Sequence, residues 1–117
     1  MVINGADQQK CAKKPLQFDD WEAVGLSAWP HGEATLEKVH DVRREVSAMI
    51  KLGKRAMVFD LTSVKELHVN LLETLADLYD EVTTTYHDGA MIVINLDPQF
   101  HAEFLGFNQT RGIRLVL

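Results

Sequence analysis

The sequence predicts an α/β fold, a mixed β-sheet with helices packed on it, and three observations carry that prediction. Two short, nearly continuous apolar runs, residues 55–61 (RAMVFDL) and 90–96 (AMIVINL), have the composition of buried strands, the first that of a central strand covered on both faces by helices. The segments before and between them place apolar residues three and four apart, the period of a helix with one buried face. At 117 residues, 46% hydrophobic and 25% charged, the chain has the length and mixture of one globular domain.

Residues 1–14 (MVINGADQQKCAKK) are polar without a sustained period and read as an N-terminal tail, leaving 15–117 as the domain. Leu16 and Phe18 alternate with polar neighbours, and Asp19-Asp20 makes a turn. Residues 21–29 (WEAVGLSAW) alternate again through Val24, Leu26 and Ala28, so two antiparallel strands are expected here. After Pro30-His31-Gly32 the period becomes helical, with Leu36, Val39, Val42, Val46, Met49 and Ile50 on one stripe. Gly53 ends that helix, and Lys51, Lys54 and Arg55 put positive charge at its C-terminus.

The run 55–61 then forms a central strand. A second helix spans about 71–86, with Leu71, Leu75, Leu78 and Val82 on one line and Leu72, Ala76 and Tyr79 beside it; Asp88-Gly89 closes it. Strand 90–96 follows, and Asp97-Pro98 starts a short third helix as a cap with proline at the first helical position. That helix carries Phe100, Phe104 and Leu105, Gly106 ends it, and 113–117 (IRLVL) returns as a last strand. The order is β-β-α-β-α-β-α-β, and right-handed crossovers make the pairing parallel in the second half.

Composition excludes several classes of partner. A net charge of −5 argues against a nucleic-acid backbone or an anionic membrane, with Lys10, Lys13 and Lys14 the one concentrated basic patch. The single cysteine, Cys11, forms no internal disulfide and no zinc site, which suits a reducing cytoplasm. No apolar run approaches the roughly 18 residues that span a bilayer, and the N-terminus lacks the apolar stretch of a secretion signal. Neither export nor insertion is expected.

The site-bearing segment is 60–72 (DLTSVKELHVNLL), which leads into an Asn-x-x-Glu pattern from Asn70 to Glu73. That pattern predicts a helix start with Asn70 as N-cap, worth on the order of 1 kcal/mol, and Glu73 reaching back toward it.

These residues resemble a known family. Asp-Leu-Thr-x-Val-x-x-Leu, a loop, a Leu-Leu helix start and the later Ile-Val-Ile-Asn-Leu are similar to the STAS domain, named for sulphate transporters and anti-sigma factor antagonists. The resemblance covers roughly 33–107, strongest over 58–72 and 91–96. It implies a cytoplasmic bacterial module for signal transduction and transcription regulation. Its expected partner is a protein, either an anti-sigma factor of kinase-like type or other STAS domains.

In that family the loop before the second helix reads Asp-Ser-Ser-Gly or Asp-Ser-Thr-Gly, and its second hydroxyl is phosphorylated. Here His68, Val69, Asn70 and Leu71 stand at those four positions. Asn70, at the phosphoacceptor-equivalent position, has no hydroxyl to esterify, so the usual charge switch is absent there. The expected partner-binding residues are Glu66, His68, Val69, Asn70, Leu71, Glu73 and Thr74. A cap alone is a sufficient structural reason for Asn70. STAS domains also carry one more helix after the last strand, whereas this sequence stops at Leu117, so either 113–117 is not that strand or a homodimer contact covers the face such a helix would occupy.

Other residues argue against chemistry. His31, His40, His68, His87 and His101 never fall at i, i+3 or i, i+4, so no metal site is expected; only His68 lies in a loop where α/β sheets place ligands. Asp60, Glu66 and Glu73 could converge near that loop, but an Asp ending a buried strand routinely accepts from backbone donors. No nucleophile–base spacing and no glycine-rich phosphate loop is present, so neither catalytic residues nor a cofactor are expected. Thr62, Ser63 and Thr83-Thr84-Thr85 are alternative phosphorylation positions with ordinary structural explanations. Trp21, Trp29, Phe100, Phe104 and Phe107 read as core. The expected function is a non-catalytic regulatory protein-binding module; the alternatives are a nucleotide- or lipid-sensing module and a scaffold subunit of a signalling assembly.

Overall fold

The computed structural model describes residues 21–30 and 34–117. Seven elements alternate along them: β1 (Val24–Ala28), α1 (Leu36–Lys51), β2 (Ala56–Asp60), α2 (Val69–Thr85), β3 (Ala90–Ile94), α3 (His101–Phe107) and β4 (Arg114–Leu115). Short 3-10 turns, Trp21–Ala23, Pro98–Phe100 and Asn108–Thr110, precede β1 and flank α3. The strand expected around Leu16 and Phe18, and with it the antiparallel pairing, lies outside the described residues.

The sheet runs β1-β2-β3-β4 and every neighbouring pair is parallel. With sequential strands and right-handed crossovers, each helix returns over the same side. One apolar cluster joins Met57, Phe59, Met91 and Val93 of the sheet to Val46 and Ile50 of α1, Leu75 and Val82 of α2, and Phe104 of α3. This corrects the expectation of helices on both sides of β2: they cover one side. On the other, Leu26, Val58, Ile92 and Arg114 stand in register across the four strands.

The same geometry reverses β1. Its alternation suggested that Val24, Leu26 and Ala28 face the core, yet Gly25 and Ser27 are the residues under α1, and Leu26 is 66% exposed. A side chain at position 25 would strike the Met57 sulfur, 2.6 Å from where its Cβ would stand. Ser27 is buried because its hydroxyl donates to Glu45 of α1 at 3.0 Å, which satisfies a polar group the core would otherwise penalise.

The helices follow their sequence periods. In α1 the buried stripe is Val39, Val42, Val46 and Ile50, while Leu36, expected on that stripe, projects into solvent in the first turn. Thr35 caps α1 by accepting from the Lys38 N–H, and Gly53 takes the left-handed exit at φ 103°. In α2, Leu71, Leu75, Leu78 and Val82 are buried as expected. Arg43–Asp77 (2.8 Å) and Ser47–Glu81 (2.7 Å) link α1 to α2 along their lengths, and the Tyr86 hydroxyl donates to the Ile50 carbonyl where they end. Asp97 caps the 3-10 turn with Pro98 at its start, and the helix then continues past Gly106 to Phe107. Among the described residues no helix is long and apolar enough to cross a membrane.

Candidate functional site

In a parallel sheet every strand's carboxyl end faces the start of the next helix, so the loops after β2 and β3 meet at one end of the molecule. Asp60, the last residue of β2, organises that end. Its carboxylate accepts from the Thr62 hydroxyl at 2.5 Å, the Thr62 N–H at 2.9 Å and the Asn95 amide at 3.2 Å. The Thr62 hydroxyl, then the Thr62 N–H, with Asn95 adding to them, hold the Asp60 carboxyl below its ordinary value against the opposing effect of burial. Asn95 reaches it from a left-handed backbone, φ 61°, which asparagine tolerates better than most residues. The expected structural role for Asp60 is what the geometry gives.

The start of α2 corrects the sequence expectation by two residues. His68 is the N-cap: its Nδ1 accepts from the Asn70 N–H at 3.0 Å, which requires a neutral imidazole with an unprotonated Nδ1. Histidine stands outside the usual capping residues, whereas Asn-x-x-Glu is a familiar start signal, and the sequence therefore points past the true cap. Asn70 lies inside the first turn and has another task. Its Nδ2 donates to the Ala34 carbonyl at 2.8 Å, tying α2 to the segment that leads into α1, and its own carbonyl accepts from the Thr74 hydroxyl at 2.6 Å.

The seven expected partner-binding residues separate into two groups. Glu66, Val69 and Glu73 are exposed, and His68 and Asn70 are half-buried at the same end. Leu71 and Thr74 are 1% and 0% exposed; they face the core and present nothing to a partner. Their place is dictated by the helical period, which turns Leu71 and Leu75 inward and Val69 and Glu73 away, with Leu72 half-buried at the edge of the core.

Val69 is the conspicuous feature, an apolar side chain 57% exposed at the first position of α2. It opens onto a groove of about 450 Å³ between α2 and the end of α3, lined by Val69, Leu72, Glu73, Asp77, Phe107 and Arg111. Arg111 lies over the Phe107 ring at 4.6 Å and donates to the Phe107 carbonyl at 3.0 Å, so its guanidinium is fixed at the rim. Phe107, read from sequence as core, is half-buried against the core cluster while also lining the groove, and Arg111 was not expected from sequence. The signal was their i, i+4 spacing, which places a ring and a cation together on continued helical turns.

A second open groove, about 530 Å³, runs beside α1 past Pro30, Lys38, Asp41 and Glu45. Trp29 is buried in the core, as are Phe104 and, in part, Phe100. Among the described residues no three His, Cys, Asp or Glu side chains gather as a metal site. Glu66 and Glu73 do not join Asp60 in any hydrogen bond or ion pair among the described residues.

Compared with protein-family models, with curated proteins and with solved structures, the chain has no significant match.

Proposed function

We propose that this chain is a non-catalytic regulatory module that binds another protein through the carboxyl end of its sheet, in the manner of an anti-sigma factor antagonist. The observation that carries the reading is Val69, held in solvent by the first turn of α2 beside an open, apolar-floored groove. What sets Val69 apart from the more exposed Leu26, Leu36 and Leu52 is the adjoining groove, where its side chain continues an apolar surface that a partner can cover. The STAS resemblance over 58–72 supports the same surface.

Asn70 gives this module a fixed state. Its neutral amide is engaged with the Ala34 carbonyl, and it has no hydroxyl to accept a phosphate, so no −2 charge arises at position 70 to disrupt the interface. The cytoplasmic setting and a role in signalling or transcription belong to the same proposal. The groove beside Val69 is open to solvent, the form a protein partner covers.

Affinity capture of the chain's partner from its native source, followed by titration against Val69→Glu, tests the proposal. Binding weakened by about tenfold or more is expected. Unchanged binding would mean that the start of α2 is not the interface.

A further inference from the structure

The groove between α2 and α3 carries an arrangement of charge that identifies a partner. Glu73 stands on its α2 rim and Arg111 on the opposite rim, with Val69, Leu72 and Phe107 between them. Among the described residues neither Glu73 nor Arg111 has an ion-pair partner, whereas Asp77, on the same helix, is already paired with Arg43. Arg111 is fixed by its stacking on Phe107 and its bond to the Phe107 carbonyl. One apolar floor thus lies between two unanswered charges of opposite sign.

An interface between identical subunits about a two-fold axis must be complementary to itself, so one patch has to offer both members of each contact. This groove does so. A chain of net charge −5 repels a copy of itself over most of its surface, and a cation set beside an apolar floor gives the approach a favoured site.

We propose that the groove takes a second copy of this chain, packed about a two-fold axis. Each Arg111 guanidinium then meets the partner's Glu73 carboxylate, and Val69 and Leu72 of both protomers close over the Phe107 rings. The proposal rests on the reading of the start of α2 as a protein-binding surface and names its occupant.

Sedimentation equilibrium of the full chain from micromolar to millimolar concentration tests it, with Val69→Glu, Glu73→Arg, Arg111→Glu and the double exchange Glu73→Arg/Arg111→Glu. A reversible dimer is expected. Each single variant should weaken it by about tenfold or more, and the double exchange, which restores opposite charges across the axis, should bring the dissociation constant back to within about threefold of the original. A purely structural role for either residue predicts no such rescue. Should Arg111→Glu unfold, as thermal melting would reveal, Val69→Glu and Glu73→Arg still decide, since both positions are exposed.

A monomer at millimolar concentration overturns the proposal, and so does a dimer indifferent to all four variants or a double exchange no better than the single ones. None of these results touches the broader reading of the surface, which falls only if the captured partner's affinity is unmoved by Val69→Glu.

Discussion

The two ends of the sheet are built differently. At the amino end of the strands, where α1 and α2 finish, long side chains add to backbone bonds: Lys54 Nζ donates to the Glu22 carbonyl at 2.8 Å, the Tyr86 hydroxyl donates to the Ile50 carbonyl, and Arg55 pairs with Asp88 at 3.5 Å. Lys54 N–H donates to Met49, Arg55 N–H to Ala23, Gly89 N–H to Tyr86 and Ala90 N–H to Arg55, all at 2.7–3.0 Å. At the carboxyl end the Trp29 N–H donates to Asp60 and the Leu61 N–H to Ile94, and short side chains join the loops: Asp60 with Thr62 and Asn95, His68 with Asn70, Asn70 with Ala34. The amino end is thus tied by long side chains reaching carbonyls and a carboxylate, whereas the carboxyl end is tied by short polar side chains that cap and brace the loops leading into the helices. That end also holds Val69 and Leu36 out in solvent on the first turns of adjacent helices. Each end therefore combines side-chain ties with an exposed apolar residue, Leu52 at the amino end and Val69 at the carboxyl end, and Val69 in addition borders the groove between α2 and α3.

Substitutions at four positions break or sharpen this contrast. The largest effect belongs to Leu71→Ala, because Leu71 sits in the first turn of α2 yet is buried; it should cost roughly 2–5 kcal/mol in denaturant unfolding, as a core truncation does. A small loss there would mean that the carboxyl end is only loosely attached to the core. Asn70→Asp follows. It replaces the amide donor with a carboxylate facing the Ala34 carbonyl, and about 1–3 kcal/mol of stability should be lost. The same change therefore tests the brace before it tests any mimicry of phosphate.

His68→Ala removes the N-cap of α2 and should cost about 1 kcal/mol, while His68→Ser or His68→Asp should retain most of it. Equal stability of all three variants would show that the imidazole caps nothing. The smallest effect concerns acid. Because the folded Asp60 carboxyl lies below its ordinary 3.8, its hydrogen bonds contribute stability that is fully present above that pH and lost as pH falls through the lowered folded value. Thr62→Val removes the leading cause. The gap in stability between the native chain and Thr62→Val should be constant from neutral pH down to about pH 5 and shrink below 3.8.

Much of the fold is legible in the sequence, and the reasons for the remainder are physical. The stripes of α1 and α2 and the apolar runs of β2 and β3 read correctly because burial by packed neighbours leaves a periodic trace. The facing of β1 does not, since Gly25 and Ser27 are buried for reasons of space and hydrogen bonding supplied by Met57 and Glu45, which are distant in sequence. The cap of α2 is displaced by two residues because histidine serves where asparagine is the familiar signal. Of the candidate site, the loop and the exposed positions of α2 were readable, but Leu71 and Thr74 belong to the core. The α3 side of the groove, Phe107 with Arg111, arises from tertiary packing that no local pattern near Asn70 announces.

Val69 and Leu52 make the most direct test, since each is a large exposed apolar side chain, one at each end of the sheet. Leu52 is the more exposed, at 81%, and caps the end of α1 at the amino end of the strands. Affinity for the captured partner should be measured for Val69→Glu and for Leu52→Glu, with thermal melting as a control for folding. The account predicts that Val69→Glu weakens binding by about tenfold or more while Leu52→Glu leaves it unchanged. Binding lost with Leu52→Glu and kept with Val69→Glu would contradict it.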